Sequence, residues 1–220
     1  MRFDPGSVLQ RPTLAPWIMN VIEIWAHTDA LLCRLLAQLL KTEAVVATAM
    51  LQAIGTQKSQ RDAVLAAARS VISEADFVLF EASLGATEEA RKVRHAFAHY
   101  MWGISPEIPD ALLSVAPKDY NVLAAKWTQW SERVLKKFPD GSGVVISSRF
   151  EDRLRPFVSV WKESDLREAA AQATRTHNIV QSLNVLAFVD FTEHSIRDRL
   201  LTDPLIKRAV EKAARRKKSP

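Results

Sequence analysis

Arg91–Gly103, RKVRHAFAHYMWG, is the stretch on which the reading of the fold turns. Its apolar residues Val93, Phe97, Tyr100 and Met101 fall three or four apart, the spacing of one face of a helix. The remaining positions carry Arg91, Lys92, Arg94, His95 and His99. A guanidinium and imidazoles thus ride on a helix anchored by its opposite side. Gly103 is expected to end that helix, and Pro106 and Pro109 to prevent its continuation.

Outward from this stretch the same period repeats. Upstream, a long helix is expected from about Pro16, with Ile18, Val21, Ile22, Trp25, Leu32, Leu35, Leu36 and Leu39 in one wide stripe. Thr42 is the expected cap of the next helix and Gly55 its stop. Further helices are expected over about 59–72, 74–84, from Thr87 with Glu88 and Glu89, over 118–138, 164–189 and 204–214. In the helix over 118–138, Val122, Leu123, Trp127, Trp130 and Val134 make the apolar face, and 140–143 is a turn. Ala111–Ala116 is short and apolar and reads as a strand, with Val144–Ser147 or Phe157–Trp161 as its partner. The fold class is therefore all-α, a helical bundle with a small strand pair inserted. By segment, 1–15 reads as irregular, 16–138 as the bundle, 139–205 as a C-terminal helical extension packed on it, and 206–220 as a basic tail.

Composition sets limits. With 48% hydrophobic residues and only 6 glycines in 220, the chain has the balance of a helical globular protein. Its one cysteine, Cys33, lies among leucines, which points to packing and excludes an internal disulfide. No apolar run of about 18 or more residues occurs, and the first residues lack the apolar core of a signal peptide. A cytoplasmic protein with no membrane partner is the resulting expectation. The net charge of +5, concentrated towards Lys207–Lys218, is compatible with RNA as partner.

What could Arg94 and His99 do together? Imidazole exchanges protons near neutral pH, and guanidinium offers forked donors that match phosphate oxygens. A base and a phosphate-stabilising cation suffice for attack of an RNA 2′-hydroxyl on the adjacent phosphate, with no metal or cofactor. At about 100° per residue, a separation of five puts these two side chains about 140° apart, whereas His95 and His99 share a stripe. A two-fold interface, bringing two arginines and two histidines into one cleft, is the expected solution.

An arginine, a polar residue, a short spacer and a histidine on a late helix of an α-helical bundle resemble the motif of the HEPN superfamily. Here the motif runs Arg94, His95, Ala96, Phe97, Ala98, His99, within about residues 17–138. Histidine stands where that family usually has asparagine after the arginine. Many members are metal-independent homodimeric endoribonucleases of toxin–antitoxin and phage-defence systems. The resemblance therefore implies Arg94 and His99 as the catalytic pair, His95 as an assisting group, and RNA as substrate, with an antitoxin or other regulatory protein as a further partner. Arg91, Lys92 and Tyr100 are assigned to RNA binding. Family members modified by nucleotidyltransferase antitoxins carry a tyrosine two residues after the histidine, where this chain has Met101.

Competing readings exist. Arg94 and His99 as a solvated face paired with Glu88 or Glu89 is one. Half a zinc site at His95 and His99 is another, although HAFAH lacks a metalloprotease glutamate. The functional alternative to the nuclease is a catalytically inactive module of the same fold that binds RNA, a nucleotide or a protein partner.

Overall fold

A computed structural model describes residues 1–137 and 155–218. The expected turn at 140–143 and the strand candidate Val144–Ser147 lie outside the described residues. The described residues are mostly helical, with a small three-stranded antiparallel sheet among them. In order, the helices are α1 (Ala15–Leu40), α2 (Ala44–Ala53), α3 (Gln57–Val71), α4 (Glu74–Gly85), α5 (Glu88–His99), α6 (Pro117–Lys137), α7 (Glu163–Phe188), α8 (His194–Leu201) and α9 (Pro204–Lys218). The strands are β1 (Met101–Gly103), β2 (Ala111–Val115) and β3 (Val158–Lys162). Two compact units are built from discontinuous segments: Met1–Asn20 with Arg94–Ala170, and Val21–Val93 with Ala171–Pro220.

The second of these units is the helical one. Its core gathers Leu35, Leu36 and Leu39 from α1, Leu51 from α2, Val64 from α3, Phe77, Phe80 and Leu84 from α4, and Leu183 and Leu186 from α7. Leu200 of α8 and Ile206 of α9 complete it. The stripe expected on α1 is buried except at Leu32, which is half-buried, and Ile22, which is exposed. The basic C-terminal segment is helical through Lys218, and Ile206 is fully buried.

Local chemistry explains the helix ends. Thr56 and Ser73 cap α3 and α4, their hydroxyls accepting from the Ser59 and Asp76 amides at 3.1 and 3.2 Å. The expected cap at Thr42 is not one: Glu43 holds the N-cap position of α2, without a side-chain bond. Thr42 is instead engaged in closing α1. Lys41 turns left-handed (φ 49°), and the Thr42 amide donates to the Ala37 carbonyl at 3.0 Å. Helix α8, HSIRDRLL, was not expected from the sequence; its single buried residue is Leu200.

Asp203 fixes the start of α9. Its carboxylate accepts from Arg175 Nε and Nη2 at 2.6 and 2.7 Å, and from the Leu205 and Ile206 amides at 3.0 and 3.3 Å. These bonds, led by the one from Arg175, hold its pKa below the ordinary carboxylate value against the opposing effect of burial. A lowered folded-state pKa means that this stabilisation is complete above the unfolded pKa of about 4 and is lost as pH falls through the folded value. In urea titrations, Asp203→Ala should therefore lower stability at neutral pH, by about 1–2 kcal/mol for the cap alone. The difference from wild type should shrink in acid.

The other unit is organised by the sheet, in the order β1-β2-β3. Strand β2 pairs with β3 in the register Leu112↔Trp161 and Val115↔Val158, so Phe157–Trp161 supplies the partner, with its pairing residues at 158–162. All five residues of β2 are buried, and the Ser114 hydroxyl accepts from Trp161 Nε1 at 2.8 Å. The strand β1 corrects the sequence reading. Helix α5 stops at His99, and Met101–Gly103 turns to pair with Val115–Leu113 rather than finishing the helix. Without β1, that side of the fully buried β2 would lack backbone partners, which is costly away from water. In α6, Leu123 is buried but Val122 is 44% exposed, so Val122 is off the core face. The side chains of Trp127, Trp130 and Val134 lie outside the described ones.

The N-terminal segment is more ordered than expected. Arg2 and Ile104 exchange two backbone hydrogen bonds of 2.8 Å, and Ser7–Gln10 forms a 3-10 turn. Gly103 makes this approach possible: a Cβ there would lie 2.5 Å from the Arg2 carbonyl oxygen and 2.6 Å from the Phe3 ring. Gly103→Ala is expected to push the N-terminal segment off the sheet at a cost of about 1–3 kcal/mol. Faster proteolysis within the first residues would reveal it.

Candidate functional site

Helix α5 is held by Ala96 and Phe97, 8% and 3% exposed. Phe97 is the anchor: its ring meets Trp102 edge-on at 5.4 Å and Trp161 at 4.9 Å. These tryptophans thus pack on Phe97 and brace the end of α5 against β1 and β3. Met101 is not on the helix face at all, since it belongs to β1.

The opposite side of the helix end carries His95 and His99, whereas Arg94, three residues before Phe97, lies towards the anchored face. Arg94 is half-buried, and His95 and His99 are exposed. The rings of His95 and His99 lie 4.8 Å apart, and Tyr100, half-buried just past the helix, stands edge-on to His95 at 6.2 Å. The four-residue spacing produces this contact directly, one helical turn bringing the two imidazoles together. Five residues separate Arg94 from His99, which on a regular helix leaves them about 140° apart.

Chemically, the helix end offers two adjacent imidazoles, with a guanidinium elsewhere on the same helix. Two adjacent imidazoles can divide general-base and general-acid roles, and the guanidinium of Arg94 matches phosphate. As for a metal, no group of three or more His, Cys, Asp or Glu side chains suited to holding an ion occurs among the described residues. None of the described helices is long and apolar enough to cross a membrane.

Arg91 and Lys92 fall in the helical unit, on the earlier turns of α5. Lys92 is exposed. Arg91 lines a cleft in that unit together with Arg34 of α1 and Arg61 of α3. The two latter arginines had no sequence signal, because nothing local connects positions 34, 61 and 91. The other histidines are dispersed: His27 and His194 are exposed, and His177 Nδ1 lies 3.3 Å from the buried Thr28 hydroxyl. No family model, curated protein or solved structure matches the chain.

Proposed function

We propose that the chain is a metal-independent endoribonuclease of HEPN type, acting as a homodimer in a toxin–antitoxin or phage-defence setting. The observation that supports this most is the pair of exposed imidazoles, His95 and His99, in ring contact at 4.8 Å on the helix that bears Arg94. His99 takes the proton of the RNA 2′-hydroxyl. The O2′–P bond forms, the P–O5′ bond breaks, and the 5′-oxygen leaves with a proton supplied by the partner imidazole, His95 or its symmetry mate. Arg94 holds the non-bridging oxygens as charge builds on them. A 2′,3′-cyclic phosphate and a 5′-hydroxyl result. Arg91, Lys92 and Tyr100 draw in and position the strand.

The test uses the substrate's own nucleophile. RNA cleaved by the purified protein in excess chelator should become resistant when the 2′-hydroxyl at the cleaved position is methylated. Cleavage that persists on the methylated strand sinks the mechanism. Specific RNA binding by a folded preparation, without cleavage of any strand, would favour the alternative of a catalytically inactive binding module.

A further inference from the structure

Helix α2 has 10 residues, of which only Ala47 and Leu51 are buried in the core. On one flank of these, Ala44 and Thr48 line a cleft of the helical unit. On the other flank run Val46, Ala49, Met50 and Ala53, all exposed, Val46 by 45% and Met50 by 47%. At about 100° per residue these four form one stripe, centred roughly 130° around the helix from Ala47 and Leu51. A helix that is apolar on nearly every side is normally covered. Among the described α-helices, α2 alone carries no Asp, Glu, Lys, Arg or His.

The missing charge narrows what covers the stripe. A nucleic acid or an anionic lipid surface is met by Lys or Arg, and α2 has neither. A second copy of this chain fits. Two chains of net charge +5 repel, and a contact between them is easiest on a surface that adds no charge of its own. The stripe is also complementary to itself. A two-fold axis crossing α2 between positions 49 and 50 runs the two helices antiparallel. Val46 then faces the partner's Ala53, and Met50 faces the partner's Ala49, so each contact sets a larger side chain against a methyl group. Antiparallel packing also brings the positive end of each helix dipole beside the negative end of the other. We propose that Val46, Ala49, Met50 and Ala53 are the surface through which two copies of this chain associate, in that register. A helix of 10 residues is about 15 Å long, so the contact is small and the dimer dissociates in the micromolar range. The inference gives the proposed homodimer a surface, yet rests on exposure and helix geometry rather than on the nuclease reading, whose residues lie on or just beyond α5.

Sedimentation equilibrium of the full chain without RNA, across the micromolar range, is the test. Wild type should associate to a dimer. Ala49→Glu, at an exposed position beside the axis, should raise the dissociation constant about a hundredfold or more, since two carboxylates then meet. Ala44→Glu makes the same change on the cleft side of the helix and should leave the dimer intact. Met50→Gln, nearly neutral for the helix itself, should weaken association about tenfold by removing apolar contact from both copies. Circular dichroism of all three variants should match wild type. Raising salt should leave association unchanged or strengthen it, because salt screens the repulsion between like-charged chains and finds no ion pair in the contact to weaken. A wild type that stays monomeric throughout would overturn the inference and leave the stripe to a different protein. A dimer retained in Ala49→Glu, lost equally in Ala44→Glu, or dissolved by salt would overturn it too. No RNA cleavage is read, so this result and the fate of the nuclease proposal are separable.

Discussion

His99→Ala is expected to lower RNA cleavage by about 10²–10⁴-fold, the usual worth of a positioned proton-transfer group. That corresponds to roughly 3–5 kcal/mol in the barrier. The loss should fall on the rate and not on the fold. His99 is exposed at the last position of α5, whereas the helix end is held by Phe97 against Trp102 and Trp161. Thermal unfolding of the variant should therefore match wild type, and RNA affinity should be largely retained. His95→Ala should cost less if His95 assists and His99 is the base. Equal losses would mean that the two imidazoles, 4.8 Å apart, act as one unit. Arg94→Ala should also depress the rate, through lost stabilisation of charge on phosphate. Intact cleavage in His99→Ala would count decisively against the assignment.

Phe80→Ala should be the most damaging single change to stability, at about 3–5 kcal/mol. Phe80 is completely buried in α4, which packs against α3 and α9, and its ring lies 6.3 Å from Phe191. The vacated space is enclosed by side chains from several helices and cannot collapse without moving them. A melting temperature lower by roughly 6–20 °C follows for a chain of this size. Calorimetry would check it, and a shift of a degree or two would show that the core relaxes around the cavity.

How much of this was legible beforehand depends on the range of the forces involved. Helices α1, α3 and α7 were readable because burial of one face imposes a period, and Leu35, Leu39, Val64 and Leu183 display it. Their ends were less readable. Thr42 has the chemistry of a cap, but its amide is committed to the preceding helix. Tyr100 and Met101 continue the helical spacing of Val93 and Phe97, so nothing local announces that β1 begins there. The strand is set by β2, about ten residues further on, whose buried backbone needs a neighbour on that side. Helix α8 escaped notice because eight residues with little buried surface leave almost no periodic signal.

The candidate site divides in the same way. His95 and His99 are neighbours by helical geometry, and the sequence suffices to say so. The aromatic brace behind them joins Phe97 to Trp161, more than sixty residues away, and needed the sheet register to appear. Arg34, Arg61 and Arg91 meet only because three helices converge on one cleft. No spacing rule could have found them.

The central claim is that RNA is cut by this chain's own side chains and the RNA's own 2′-hydroxyl. The most direct measurement is incubation of purified wild-type protein with several RNAs in excess chelator, with the ends of the products determined. The account predicts cleavage leaving 2′,3′-cyclic phosphate and 5′-hydroxyl ends. No cleavage by a folded, dimeric preparation, or products bearing 5′-phosphate ends, would contradict it.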